Sequence, residues 1–531
     1  MLLIITHENI GERMAGPSIR SWEIAQALGR QGAQVRIISP FASQRSAPNV
    51  DIVQFDWAQP DSIVRHIDAA SAVMGIGTVL ARVIALLGKP IDKPTIVDTY
   101  YVPEIEQILL NITTHKREFD PTPIFVNEMS TYLRQADFLL VATEHQYDFW
   151  LGGLLANGRL NSATLKQFNV DSLLGMVPLG IPDEEIQEPR TKNQEPRTKN
   201  QEPRTKNQEP RTKSQESRTE SQEPNNEGQN SILNAQPSTL NSLQPNDKII
   251  YWGGGIWDWT DPLTLLDAMR IVWQQRSDAK LVFGALHHYD QNIVPHMSMA
   301  GKLIAQVKAE DWLGKQVFFG DWLPYDQRGA FLMRADVGVG LTLRTIENRY
   351  AVRARILDYV WTGLPCVLSA GDEYAEWAAQ IGLAKLVQPG DANALAEAIL
   401  AQLNDPTPRA ERIAKLQPVI APRRWQAVVQ PLLNFIRAPH LAADAAEARA
   451  SIGGLVSLRS EIDNLRRERD NLGMKAFEWE SNYHKLNLDL STKMVKSQAE
   501  FDGFKQRPFI KLGDRVGNVV WGLKNKILRG K

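Results

Sequence analysis

Between residues 343 and 377 the sequence reads LRTIENRYAVRARILDYVWTGLPCVLSAGDEYAEW, and Arg344, Arg349, Arg353 and Arg355 crowd into its first half. A guanidinium is always charged and presents a planar fork that matches phosphate oxygens. Arg353 and Arg355 flank the start of an expected helix, Val352–Thr362, where both could grip such oxygens; Asp358, on the same helix, can accept two hydrogen bonds from a ribose diol. The competing reading is a set of surface arginines paired with Glu347 or Asp358, an arrangement that adds little. Upstream, IIYWGGG (249–255) ends a run of strand-forming residues in three glycines. Without a Cβ at Gly254 and Gly255 the backbone can approach a ligand closely, and a nucleotide diphosphate suits such a turn. A bulge or turn with no ligand gives the same pattern. Near the start, Gly16-Pro17-Ser18 precedes a helical stretch whose N-terminal N–H groups attract an anion or a sugar hydroxyl, unless the turn is only a tight connection.

Positioning such residues takes elements that end near one another. Leu2–Thr6 reads as a buried strand, Ile19–Arg30 as a helix and Val35–Ser39 as a strand, which makes a βαβ unit. Short apolar runs recur at Asp51–Phe55, Ala72–Gly75, Thr95–Asp98 and Phe138–Ala142, with helical stretches Gly77–Leu87 and Val126–Gln135 between them. From Lys248 a second series follows: a helix Pro262–Gln275 capped by Asp261, then strands at Leu281–Ala285, Val317–Phe319, Val337–Leu341, Cys366–Ser369 and Ala384–Val387. Alternating strands and helices imply α/β domains with parallel sheets covered on both faces. Two such doubly wound domains bind ligands where the C-terminal ends of their strands face one cleft.

The expected division is 1–182 for the first Rossmann-like domain, 183–247 for a linker, 248–440 for the second domain, 450–500 for a coiled coil and 501–531 for a basic amphipathic tail. The linker repeats QEPRTKN from 187, 194, 201 and 208. Its proline and lack of apolar seam residues deny it a packed helix, so disorder is expected. From Leu455 to Lys493 a 3,4 spacing holds with ten of twelve positions apolar, which suits self-association or a partner helix, or else a helix folded back on the body. The tail FIKLGDRVGNVVWGLKNKILRGK mixes apolar residues with lysine and arginine, as in segments that lie on anionic lipid and equally in solvated basic ends.

A chain of 531 residues with 43% hydrophobic residues buries more than one core. A formal net charge of -1 gives no reason to expect nucleic-acid binding. Cys366 is the only cysteine, which excludes an internal disulfide and a cysteine zinc site and fits a reducing, cytoplasmic compartment. No leader sequence or membrane-spanning stretch is expected from MLLIITHEN or from any later run.

The forms GPSIR, TEHQYDFWLG, VPLGIP, WGGGIWDWTDPLTLLDA, GDWLPYDQR, ADVGVGL and RARILDYVWTGLPCVLSAGD span most of residues 1–405 apart from the linker. In these forms the chain resembles the retaining GT-B glycosyltransferases of family 4, the "group 1" glycosyltransferases. The resemblance implies two Rossmann-like domains and transfer of a hexosyl group from a nucleoside-diphosphate sugar to an acceptor hydroxyl, with retention. It further implies no metal or other cofactor and an acceptor held near Gly16 and Arg20. Family 4 places two glutamates in an E-x7-E pattern ahead of a GLP turn. Here the second matches Asp358 and the first falls on Tyr350, with Glu347 one turn earlier as the substitute carboxylate; Gly363 and Leu364 of the turn are carried over as substrate contacts. The basic pair that usually follows the first strand of the second domain is missing from GGGIWDWTDP, so its charge is expected from Arg353 and Arg355. Members of the family commonly build cell-surface polysaccharide or glycolipid, which with the basic tail implies a glycan or lipid-linked acceptor at the inner face of the membrane.

Two other readings stay open. One is a non-catalytic GT-B scaffold in a polysaccharide assembly, supported by the lost basic pair. The other is a sugar-nucleotide epimerase or phosphorylase, for which His287 and His288 are the local acid–base candidates unless they are core or surface histidines.

Overall fold

The computed structural model describes residues 1–113, 122–165, 169–186, 242–290 and 297–452, with scattered helical positions between 468 and 525. The QEPRTKN repeat and most of the basic tail lie outside the described residues. The chain divides into two units, Met1–Leu455 and Val456–Lys531.

The larger unit holds two parallel sheets. The first comprises β1 (Leu2–Ile5), β2 (Val35–Ser39), β3 (Val50–Gln54), β4 (Ala72–Ile76), β5 (Thr95–Asp98), β6 (Phe138–Val141) and β7 (Leu174–Met176), in the order β3-β2-β1-β4-β5-β6-β7. The second comprises β8 (Lys248–Trp252), β9 (Ala279–Phe283), β10 (Val317–Phe319), β11 (Val337–Gly340), β12 (Cys366–Ser369) and β13 (Ala384–Val387), in the order β10-β9-β8-β11-β12-β13. Every neighbouring pair is parallel. Central strands such as LLII of β1 and VGVG of β11 are buried along their whole length because helices cover both faces, which is why they read as unbroken apolar or small-residue runs. Strand order reverses between β1 and β4 in one sheet and between β8 and β11 in the other. The connections diverge there and leave a crevice beyond the strand ends.

The first half is completed from far along the sequence. Ile181 forms a bridge with Arg424, and Trp425 N donates to Ile181 O at 3.1 Å. Trp425 is buried against Gly180, where an added Cβ would lie 2.4 Å from its ring. The helix Gln430–Arg437 then stacks Phe435 on Phe138 with centroids 4.8 Å apart. Asp444 receives both arms of the buried Arg159 at 3.0 Å, and Asp137 pairs with Arg449. The chain thus returns to the first sheet from Arg424 onward, ahead of the boundary at 440 expected from the sequence. Apolar residues at 425–435 carry no label saying which sheet they cover.

In the smaller unit the described positions are helical, and Leu472, Trp479, Tyr483, Leu486 and Leu490 are exposed. No helix among the described residues is long and apolar enough to cross a membrane.

Candidate functional site

The strand-end crevices of the two sheets meet in one cavity of about 650 Å³. Its second-half wall starts at Gly253-Gly254-Gly255, directly after β8. Gly254 has φ +76°, a conformation that costs any other L-residue, and a Cβ there would face Arg355 Nη2 at 3.5 Å. The turn is pinned to the helix Ala354–Trp361 by buried Tyr359, whose hydroxyl accepts from Gly253 N at 3.1 Å and lies 3.0 Å from the Val339 carbonyl. Arg355 occupies the first turn of that helix. It reaches only the Gly255 carbonyl, at 3.4 Å, and lies over the Trp252 ring at 5.2 Å; it makes no ion pair among the described residues. Burial, with Arg353 close by, pushes its guanidinium down to about 10. A cation in that condition gains from an anion arriving in the cavity.

Arg353, two residues earlier, has a different fate. Its Nη2 lies 2.8 Å from Glu347 Oε2 and 3.0 Å from Asn348 Oδ1, and its Nε lies 2.9 Å from Asp372 Oδ2. Burial alone would lower its pKa, but Glu347 and Asp372 hold it above the ordinary value. Arg353 is thus ion-paired to Glu347 and Asp372 although it lines the cavity, an arrangement that leaves the fork onto phosphate expected of it to Arg355. Glu347, from the helix Glu347–Tyr350, lines the cavity with its carboxylate committed to Arg353. Asp358 lines it too and accepts from Arg328 Nε at 3.1 Å; Arg328 in turn lies 3.6 Å from the Tyr325 ring centroid. Gly363 and Leu364 are not in the wall. Gly363, at φ +59°, closes the far end of the helix against Ile413, and Leu364 is fully buried in the core, so both serve the fold rather than a ligand.

The first-half wall follows β1. Gly16 lines the cavity at the start of the helix Gly16–Arg30, but the neighbourhood of that helix start is already occupied. Glu8 Oε2 accepts from Ser18 Oγ at 3.3 Å and from Tyr289 Oη, of the second half, at 3.5 Å. Burial opposes its charge, yet His7, His288 and Ser18 keep the Glu8 carboxyl below its ordinary pKa. Arg20 is 1% exposed and forked onto Asp98 at 2.7 and 2.9 Å, beneath the Tyr100 ring that does line the cavity. The acceptor contact expected of Arg20 is corrected accordingly; it braces the wall from behind. Beyond Tyr101, the helix Pro103–Thr113 presents Glu106, Gln107 and Asn111, and Phe125 follows from the helix Thr122–Gln135.

Direct contacts join the two halves around this space. Tyr325 Oη donates to Glu23 at 2.6 Å, Arg45 forks onto Asp326 at 3.2 and 3.1 Å, and Gln146 Nε2 donates to Tyr350 O at 2.7 Å. Trp257 and Trp259 stack with centroids 5.3 Å apart and line the cavity with Trp322. His288 lines it as well, Nδ1 2.9 Å from Asp290 O and its ring stacked on Tyr289. Among the described residues, no group of three or more His, Cys, Asp or Glu is placed to hold a metal ion.

Neither family models nor curated proteins match this sequence. Solved structures do. Sucrose-phosphate synthase from Thermosynechococcus elongatus superposes with a TM-score of 0.54 at 12% identity, over 82% of this chain and 98% of that one. This chain has the GT-B fold. Looser overlays on it are given by Anabaena HepE, in complex with UDP and glucose (TM-score 0.48, 12% identity, 82% of this chain and 99% of that one), and by a glycosyltransferase from Rickettsia africae (0.47, 13%, 83% and 99%). In GT-B terms the cavity is the interdomain cleft.

Sequence reasoning brought Gly16, Gly254, Gly255, Glu347, Arg353, Arg355 and Asp358 to this cleft, and all of them line it. It missed Glu8, Glu106, Arg328 and Tyr359. GDWLPYDQR held the signal for Arg328, since a basic residue follows an expected strand there. Glu106 had none, being one of two acids at the start of an amphipathic helix.

Proposed function

We propose that this protein is a glycosyltransferase that binds a nucleoside-diphosphate sugar on the second-half wall of the cleft and transfers its hexosyl group to an acceptor hydroxyl with retention. The observation that carries the reading is Arg355: a cation without a carboxylate, facing a glycine turn at φ +76° on the helix that also carries Asp358. The turn's backbone and the guanidinium receive the diphosphate, Asp358 the ribose, and Trp257 and Trp322 wall the sugar. Bond breaking to the diphosphate leads attack, so catalysis rests on compensating the departing charge and orienting the acceptor. Arg355 and the adjoining N–H groups supply that compensation, and no metal is invoked. Arg353, held by Glu347 and Asp372, fixes the start of the helix rather than touching phosphate.

The wider reading places the enzyme in cell-surface polysaccharide or glycolipid synthesis, in the cytoplasm with its basic tail at the membrane's inner face. The exposed stripe Leu472, Trp479, Tyr483, Leu486 and Leu490 is then the seam for a second copy, its 3,4 spacing being self-complementary. A second reading, a binding module without turnover, draws on the single uncompensated arginine.

A thermal-shift screen of UDP-, GDP- and ADP-hexoses tests the donor site, because a ligand bound only to the folded state must raise the melting temperature. A rise with one donor, followed by NMR detection of an axial-to-axial or equatorial-to-equatorial product, supports retaining transfer. A rise without turnover on any acceptor favours the binding module, and no rise with any donor ends both readings.

A further inference from the structure

Glu106 stands apart from the other carboxylates of the cleft. Glu8 is hydrogen-bonded to Ser18, Glu347 is paired with Arg353 and Asp358 with Arg328, whereas the half-buried Glu106 side chain has no hydrogen bond or ion pair among the described residues. It projects from the first turn of the helix Pro103–Thr113 into the cavity, on the wall opposite the arginines. We propose that Glu106 is the acceptor-binding carboxyl: it holds the attacking hydroxyl of a neutral sugar acceptor, and that contact replaces the one expected at Arg20. This inference rests on the glycosyltransferase reading of the cleft.

The surroundings define the acceptor's class. Tyr100, Tyr101, Gln107 and Phe125 line the same wall, and aromatic faces beside amide groups suit a sugar ring with its hydroxyls. The groups that face Glu106 are Glu104 on its own helix, Tyr100 and Tyr101 from the preceding loop, and Glu347 and Arg353 from the second half. Burial, then the Glu347 charge, push its carboxyl up to about 8 despite Arg353. At neutral pH the group is therefore mainly COOH, with one O–H to donate and one C=O to accept, and can bridge two adjacent sugar hydroxyls. In the transfer step the acceptor oxygen bonds to the anomeric carbon and the bond from that carbon to the diphosphate oxygen breaks. The electron pair leaves with the diphosphate, and the hydroxyl proton passes to that phosphate oxygen. Glu106 orients the oxygen and gains no net proton.

Glu106→Ala and Glu106→Gln separate this role from a structural one. Both remove a carboxyl that burial disfavours, so both are expected to melt no lower than wild type. The probes are the hexose donor identified by thermal shift and octyl glucoside, galactoside and mannoside as acceptors, with glycoside binding read from tryptophan fluorescence and transfer from initial rates. Glu106→Ala is expected to raise the acceptor KM or Kd at least tenfold with the donor shift unchanged. Glu106→Gln, a neutral isostere, is expected to stay within threefold of wild type. Wild-type kcat/KM for acceptor should fall as pH rises through about 8, where the carboxyl ionises opposite Glu347, and the Gln variant should lack that fall. An Ala variant within twofold of wild type, a Gln variant as impaired as Ala, or a wild type that binds none of the three glycosides overturns the inference. Failure of the underlying reading is distinguishable, because then wild type shows no shift with any nucleotide sugar.

Discussion

At the strand ends of the first half, Arg20 is 1% exposed and forked onto Asp98, and Glu8 is engaged by Ser18. At the strand ends of the second half, Arg355 stands beside a glycine turn with only a carbonyl 3.4 Å away. Both halves are parallel sheets whose strand order reverses beside the central strand, and both present a helix start to the cleft. The difference lies in whether charge is closed on itself or left for a ligand. A closed pair stabilises geometry and offers nothing to a substrate. An open cation costs the fold something, since burial has driven Arg355 down to about 10, and that cost is returned when an anion binds. On the proposed reading the first half is a wall and the second half the site for charge.

This contrast breaks most sharply at Arg20. Arg20→Ala strands Asp98, itself buried, so a loss of about 3–5 kcal/mol is expected by chemical denaturation. Donor affinity of the remaining folded protein should change little. If Arg20→Ala instead leaves stability intact and abolishes donor or acceptor binding, the first-half pair is a ligand site after all.

A smaller effect sits at the junction of the halves. Glu23, hydrogen-bonded to Tyr325 of the second half, is raised from 4.5 to about 7 because burial outweighs its favourable partners. Between those values the folded state holds a proton that the unfolded state has released. Stability therefore falls as pH rises from about 4.5 to about 7 and levels off above, a change on the order of 3 kcal/mol. Glu106 adds a loss of the same sign that extends to about 8, so the comparison of interest is the difference between wild type and Glu23→Gln. Melting curves across pH 5 to 8 should be flatter for the variant, with the variant ahead at the alkaline end. Parallel curves would mean that Glu23 is not carried as a neutral acid across the junction.

Much of the scaffold was legible because its signals are local. The helix expected at Gly77–Leu87 has those bounds, and Asp261 caps the helix Pro262–Gln275 by accepting from Thr264 N at 3.1 Å. Glycines at 253–255 marked the turn, where Gly254 takes φ +76°, a conformation that costs any other L-residue. What stayed hidden depends on partners distant in sequence. Arg20 meets Asp98 across 78 positions, and Trp425 covers Gly180 from the far end of the unit. Arg353 and Arg355 look alike in RAR, yet one meets Asp372 and Glu347 and the other meets none. Charge density pointed to a segment that lines the cleft; only the fold tells which of its arginines is ion-paired. The carried-over Gly363 and Leu364 mark the end of a helix whose opposite end faces the cleft.

The most direct test of that distinction is calorimetric titration of UDP-, GDP- and ADP-hexoses into wild type and Arg355→Ala. Loss of a charge-assisted contact to phosphate costs about 1.5–3 kcal/mol, so affinity for the donor that binds wild type should fall roughly 10- to 100-fold with the melting temperature of the free protein unchanged or raised. Equal affinity in the two proteins would contradict the assignment of Arg355, and with it the claim that the second half of the cleft is a site for a nucleoside-diphosphate sugar.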